Sequence, residues 1–579
     1  MDALKGLFTK NLRPKQKQYE ALRMIAVEGK SVVEAANKFG YSPQSVRNIK
    51  QLVLSGKIDF FPDIPRGPVG ARTRPELIER VLVIRKSGKS IYDIFDELKK
   101  QGEGLPLSTI AAILSKAGMS KLGRRTHSEL GISLNKILLS GRAQLINFDE
   151  LRPFKIDCPV AGVFLFLPYI IESGVLDVVK KCSLPSSTDI GAAQAALSIL
   201  LLKLIGNERL SHIRAYDQEP GLGVFSGLTG LPKPPYMGSY SCRTSEAMLQ
   251  RLQKEVMSHF VKKYPEFYQS KFINLDFHSI PHFGEESQME KVWCGARGKS
   301  LKGANTILAQ DGGSDVILYT KADILRKDET KEIKNFISYW REVKGGLNET
   351  LVFDCKLTEY KVLGDLDADK RPVKFITLRK RNAKLIAETL QIPDDQWEKT
   401  FLPIPKRKNQ RFLVHENEVL LSGCKKPFRQ IIIKDHGRAR PTFVITNDRD
   451  LEIKQVLTVY AKRWHIENKL GELVSFFNLN ALSSPLMIRI HFDIFWTTVA
   501  DTLYHRLAQD LPRYEKVRAP TIFRRFINFP GRLEYDGNSF TVKIRKRAHT
   551  PLILGVEKLN RPIKVPWLKN LPLKIEWTA

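Results

Sequence analysis

The stretch that most constrains the fold runs from residue 271 to 379. KFINLDFHSI (271–280) sets Phe272, Asn274 and Asp276 against Ile273, Leu275 and Phe277, a period-two alternation that predicts a strand with Asp276 near its C-terminal end. ANTILAQDGGSDVILYT (304–320) predicts a hairpin turning at Gly312 and Gly313, and DETKEIKNFISYWR (328–341) a helix. A short apolar strand, Thr350 to Phe353, leads directly into Asp354, followed by a helix over 358–366 and a strand, VKFITLR, over 373–379. A carboxylate at the end of a buried strand costs free energy unless something cationic meets it.

Three strands, a helix, a strand and helix, then a fifth strand is the order of a ribonuclease-H-like α/β domain. Beyond it, 380–446 reads as a β-rich insertion of short pieces such as QRFLVHENEVLL. The next helix carries LTVYAKRWHIENKLGELVSFF (457–477), with Asp448 or Asp450 as its expected N-cap. At helical spacing Val456, Tyr460, Arg463, Glu467, Leu470 and Val474 share one face, which puts an arginine and a glutamate among groups that should point at a core. A metal site gives that placement a reason. Magnesium takes oxygen ligands, and a two-cation site needs carboxylates converging from separate elements. Asp276, Asp354 and Glu467 are therefore the expected catalytic and metal-binding set, with magnesium as cofactor and manganese tolerated; Arg463, one turn earlier, grips a phosphate or holds the glutamate. The competing reading is a surface ion pair, for which arginine before glutamate is the weaker orientation.

The N-terminal quarter has a different character. In SVVEAANKFGYSPQSVRNIKQLV, a helix with Val32, Val33, Ala35, Ala36 and Phe39 inward ends at Gly40, and Ser42 caps a second helix starting at Pro43. That second helix exposes Gln44, Ser45, Arg47, Asn48 and Lys50 while Val46, Ile49 and Leu52 face in, the arrangement of a helix-turn-helix reader of the major groove. Residues 76–125 repeat the plan with a longer turn: Ser108 and Thr109 begin the second helix, and Arg124 and Arg125 follow it. Between the units, FFPDIPRGPVGARTRP carries Arg66, Arg72 and Arg74 on a Pro- and Gly-rich arm suited to a minor groove, or to a plain solvated linker.

The formal charge of +31 over 579 residues points to a polyanionic partner, and double-stranded DNA is the first to consider. The six cysteines are scattered without zinc-ligand spacing and fit a reducing, cytoplasmic setting. The N-terminal residues lack a signal-peptide core, and the most apolar runs, PVAGVFLFLPYII and AAQAALSILLLKLIG, are too short to span a membrane and read as core. GARGKS ends like a phosphate-binding loop, but Trp293 stands where its first glycine is needed, so no nucleotide cofactor is expected. His278 reads as a hydrogen-bonded histidine near the site, and Trp397 as a core residue.

Taken together, Tyr460, Arg463, Glu467 and the two aspartates resemble the DDE-type transposases of bacterial and archaeal insertion sequences, in the branch with a β-strand insertion before the final glutamate, over roughly 150–520. The resemblance implies cleavage of element ends and joining of their 3′ hydroxyls to target DNA, action as a homodimer on paired ends, and DNA contacts at Tyr460, Arg463 and Lys469. The family's lysine seven residues after the glutamate is Val474 here, and its threonine two residues after the first aspartate is His278. Two rivals follow: a transposase-derived protein that binds DNA without catalysis, and a tyrosine recombinase using Tyr460. The expected organisation is multidomain: helix-turn-helix 1–58, arm 59–75, second helix-turn-helix 76–125, linker and mainly helical segment 126–270, ribonuclease-H-like domain 271–500 interrupted by 380–446, and C-terminal extension 501–579.

Overall fold

The computed structural model describes residues 13–61, 73–119, 142–216, 219–284, 289–322, 324–402, 411–437, 440–481 and 486–579. The chain divides into two compact units, Met1–Ile132 and Ser133–Ala579. Arg66, Arg72, Arg124 and Arg125 lie outside the described residues.

The first unit is helical. Helices α1 (Pro14–Ala26), α2 (Val32–Phe39) and α3 (Pro43–Leu54) are followed by α4 (Pro75–Lys86), α5 (Ile91–Lys100) and α6 (Leu107–Lys116). The middle helix of each trio opens on a capping box, Ser31 with Glu34 and Ser90 with Asp93, so the two trios share a local plan. Gly40, at φ 73°, ends α2 in the left-handed region that glycine enters without strain, and Ser42 then accepts from the Ser45 N–H at 3.1 Å to start α3. The first trio packs through Ala21, Met24, Ala35, Ala36, Val46 and Ile49, the second through Val81, Ile94, Leu98, Ile110, Ile113 and Leu114. Val33 and Leu52, expected inward, are exposed: short helices with alanine at the contact bury a narrower stripe than the apolar pattern suggests.

The second unit mixes helices with two sheets. Strand β1 (Phe154–Cys158) precedes buried helical segments, among them α7 (Ala192–Leu204). There follow β2 (Phe272–Pro281), β3 (Lys291–Cys294), β4 (Lys299–Asp311), β5 (Ile317–Lys321), β6 (Thr350–Phe353) and β7 (Phe375–Leu378). In space five of these strands run β5-β4-β2-β6-β7, with β2, β4 and β5 antiparallel and β2, β6 and β7 parallel, while β3 pairs with the far part of β4. The segment expected as a separate β-rich insertion instead continues the same sheet. After a helix at Ala383–Leu390 come β8 (Glu398–Phe401), β9 (Arg411–Val419), β10 (Phe428–Lys434) and β11 (Thr442–Thr446), and β11 pairs with β7, extending the order to β7-β11-β10-β9-β8. The reason is physical: β7 would otherwise present an unpaired apolar edge.

Helices α8 (Ile453–Lys462), α9 (His465–Ser475) and α10 (Met487–Asp510) come next. The cap of α8 is Glu452, whose N–H donates to the Gln455 side chain at 3.0 Å; Asp448 is buried and, like Asp450, is bound to Lys374, which removes both expected caps. Helix α10 is buried nearly all round, as a central core helix must be, and packs on α7. The expected C-terminal extension is no appendage. Strands β12 (Gly531–Tyr535), β13 (Phe540–Arg545), β14 (Ile563–Val565) and β15 (Leu571–Thr578) join β1 in a second sheet ordered β1-β12-β13-β15-β14. The run 161–170 and α7 are core segments, and no single helix among the described residues is long and apolar enough to cross a membrane.

Candidate active site at the strand ends

Register brings the two aspartates together. The parallel pairing of β2 with β6 ends at Leu275↔Phe353, so Asp276 and Asp354 are the next residues on adjacent strands, where neighbouring backbones lie about 4.8 Å apart. Asp276 is mid-strand rather than terminal, because β2 runs on beside β4 after β6 has stopped. Its Oδ1 accepts from the Phe277 N–H at 2.8 Å and its Oδ2 from Arg463 Nη1 at 2.7 Å. Asp354 accepts the Lys356 N–H at 2.8 Å, and its carbonyl takes the Thr358 and Thr377 hydroxyls, which brace the strand end. Burial pushes the Asp276 carboxyl up to about 6; the Arg463 guanidinium opposes that rise and the neighbouring Asp354 charge adds to it. The cation that the buried Asp276 carboxylate requires is thus Arg463.

Glu467 departs from expectation. The 457–477 run is two helices, not one, with Arg463 and Trp464 between them. There Ile466 N–H reaches the Arg463 carbonyl and Glu467 N–H the Trp464 carbonyl, each at 3.0 Å, so the chain tightens to a three-residue turn. Such a turn advances each residue by roughly 20° more than an α-helix, which rotates Glu467 off the Val456–Tyr460–Arg463 face. Its side chain is 62% exposed and stands 3.6 Å from Arg463 Nη2, while the Arg463 side chain is 13% exposed. Both Asp276 and Glu467 thus contact one guanidinium, whose Nε is buried without a partner among the described residues. Among the described residues no three His, Cys, Asp or Glu side chains are grouped to hold a metal ion. The Asp276–Asp354 pair, two hard oxygen donors side by side, suits a magnesium-type cation; Glu467 stands off from it on the other arm of the guanidinium.

Lys469, expected at the DNA, is turned into the core instead. It is buried, and its Nζ donates to Glu472 (3.1 Å), Asp501 (2.9 Å) and His505 Nε2 (2.8 Å), so its donors are consumed inside the protein and it cannot reach DNA. Tyr460 lies 5.7 Å from Arg463, ring centroid to guanidinium, and burial pushes its hydroxyl up to about 12, which makes it a poor nucleophile. His278 is hydrogen-bonded to Asn480 (2.8 Å), and burial lowers its pKa. Trp397 is a core residue with Lys434 Nζ 4.0 Å from its ring centroid. The GARGKS segment lies across the β3–β4 turn and does not open a helix.

Sequence reasoning missed the basic rim. Lys356 sits 4.4 Å from the Phe277 ring, 3.2 Å from Asn305 Oδ1 and 3.1 Å from Glu329, which neutralises it, so the uncompensated charge lies with Lys380 and Arg381. Burial and the Asp354 charge raise the Cys355 thiol, while Lys380 and Arg381, exposed just past β7, pull it down. Their position immediately after parallel strands was the available signal. In the first unit Gln44, Arg47, Asn48 and Lys50 are exposed along α3, whereas Ser45 is half-buried, with its hydroxyl 2.8 Å from that of Ser42. Ser108 is exposed and Thr109 half-buried in the first turn of α6.

No family model and no curated protein matches the chain. Among solved structures it is similar to the piggyBac transposase synaptic complex with hairpin DNA, at 11% identity over 64% of this chain and 79% of that one, TM-score 0.35. It is also similar to the Mos1 transposase paired-end complex with left transposon end, at 10% identity over 62% and 76%, TM-score 0.13. A third match is the Mos1 mariner paired end complex with Mn, at 10% identity over 59% and 70%, TM-score 0.12.

Proposed function

We propose that this chain is a DDE-type transposase whose β5-β4-β2-β6-β7 core is ribonuclease-H-like and whose first unit holds two helix-turn-helix readers of double-stranded DNA. The observation that carries the reading is Asp276 beside Asp354 at the end of a parallel strand pair, with Arg463 bound to one of them and Lys380 and Arg381 at the rim. Asp276 and Asp354 would hold a magnesium ion, and Glu467 would complete the set once Arg463 turned from Asp276 to a DNA phosphate. Magnesium, or manganese in its place, would supply activation of the attacking hydroxyl and stabilisation of the leaving oxygen at a phosphodiester. Arg463 offers a forked donor that matches a phosphate, so exchanging Asp276 for DNA keeps its charge satisfied. The basic rim holds the backbone on either side of the cleaved bond, and a homodimer pairs two element ends.

The test is nicking of a supercoiled plasmid that carries the DNA flanking this gene, with full-length protein and either magnesium or EDTA. Metal-dependent nicking that is absent from Asp354→Asn, with end binding retained, is expected. A second reading, DNA binding without catalysis, draws on Glu467 standing off from the aspartates and on the half-buried Val474 where the family carries lysine. Binding without nicking under any divalent cation selects it. A covalent protein–DNA adduct would point to Tyr460 instead.

A further inference from the structure

The strand that passes Asp276 does not stop at the sheet. On β4, residues Gly303–Asp311 pair with β2, while Lys299–Lys302 pair with β3 to form a two-stranded ribbon. The ribbon is a built feature rather than a loose loop. A Cβ on Gly303 would lie 2.3 Å from the Ile280 carbonyl oxygen and 2.7 Å from Val292 Cγ2, so only glycine lets the strands cross that closely. His282 N–H donates to the Lys302 carbonyl at 2.7 Å, and Arg326 donates its side chain to the Lys291 carbonyl at 2.6 Å and its N–H to Glu290 at 2.9 Å.

Its two faces differ. Val292 and Cys294 are buried, while Lys291 and Trp293 are exposed, Trp293 opposite exposed Ser300 and Lys291 opposite half-buried Lys302; Lys299, paired with Cys294, is exposed at the ribbon's far end. Trp293 is 61% exposed, and Phe283 nearby is 66% exposed with Arg297 5.9 Å from its ring. From Lys291 to Lys302 the sequence carries Arg297 and Lys299 and no acidic residue.

We propose that the exposed side of this ribbon, Lys291, Trp293 and Ser300 with Lys299 at its far end, binds the groove of duplex DNA beyond the cleaved phosphate. The proposal rests on the function argued above. Positive charge without acid selects a polyanion, and a two-stranded ribbon is of a size the major groove admits. Reach fixes where. Along β4, Leu308 pairs with Asp276 and Ser300 with Trp293, eight residues apart, which is at most about 27 Å. That is about eight base-pair steps along a duplex. The lysines meet phosphates, and the indole packs on the groove between them.

The test uses full-length protein and a long labelled duplex from the DNA flanking this gene. Replacing Lys291 and Lys299 together with Gln should lower the slope of log affinity against log salt by about 2, since each phosphate contact contributes about 0.9. Trp293→Ala should weaken binding about tenfold to a hundredfold, with Trp293→Phe recovering most of it. Footprints of both variants should lose protection within about eight base pairs of the nick and keep it elsewhere. Variants that unfold at the wild-type temperature yet keep slope, affinity and footprint overturn the proposal. So does loss of self-association in sedimentation with DNA binding unchanged, which would make the ribbon a contact between copies. If wild type never nicks but the lysine variant still loses its salt slope, the ribbon stands and the cleavage reading falls.

Discussion

Asp276→Asn separates a metal-binding carboxylate from a structural one. In the folded protein this carboxyl titrates at about 6 against an ordinary 3.8, so between those values the folded state holds its proton more tightly than the unfolded state does. The folded state is therefore favoured most, in this respect, below about pH 4. That advantage is lost as pH rises through 6, leaving the ionised acid with a penalty of about 3 kcal/mol at neutral pH. Asparagine mimics the protonated acid. Without metal at pH 7.5, Asp276→Asn should be more stable than wild type by up to about 3 kcal/mol, and the difference should vanish near pH 4. All seven tryptophans (293, 340, 397, 464, 496, 567 and 577) fall in the second unit, so urea unfolding followed by tryptophan fluorescence reports on the unit that holds the site. Saturating magnesium should then stabilise wild type and leave Asp276→Asn unmoved. An asparagine variant less stable than wild type in EDTA at pH 7.5 would show that the Asp276–Arg463 pair braces the fold, and the argument for a carboxylate held ready for a cation would fail.

Other outcomes follow from the same geometry. Glu467→Gln should abolish nicking while end binding persists, whereas Arg463→Ala should weaken productive engagement and be partly rescued at low salt, both read by nicking and gel shift across a salt series. Asn48→Ala should relax sequence preference by about 1–3 kcal/mol without changing the salt slope, checked by competition with mutated ends. Lys469→Met should cost about 3–5 kcal/mol of stability because it strands Asp501 and Glu472 without their cation; an unchanged urea midpoint would refute the buried network. Nicking should fall about tenfold per pH unit below about 6, where a cation must displace the Asp276 proton, and a flat profile down to pH 5 would contradict that.

What the sequence made legible was local. The alternation through Phe272–Phe277, the Gly312–Gly313 turn and the apolar run ending at Asp354 each state their own conformation, and together they gave the strand order. What it hid depends on partners far away. The apolar strands of 398–446 look the same whether they close on themselves or extend β7, and only the free β7 edge decides. β1 pairs with β12 across nearly the whole second unit, a contact that no window of sequence contains. Within the 457–477 run, a uniform helical period was the wrong ruler, because one tightened turn at Arg463–Trp464 changes which residues face inward after it. Glu467 came out and Lys469 went in for the same reason.

That turn also divides the charges of the helix pair into two systems with different duties. Past it, Lys469 and Glu472 are locked inside: Lys469 binds Asp501 on α10, Glu472 accepts the Ala519 N–H at 2.7 Å, and His505, pushed down to about 3 by burial, offers a neutral lone pair to Lys469. Before it, α8 is held against β7 and buried through Val456 and Leu457. Between these two packed flanks lies the Arg463–Glu467 turn, where one guanidinium spans Asp276 and Glu467. On the function proposed above, a DNA phosphate that drew Arg463 away would uncover Asp276 and remove the group standing between it and Glu467 in a single local movement, so that the DNA to be cut would itself assemble the carboxylates.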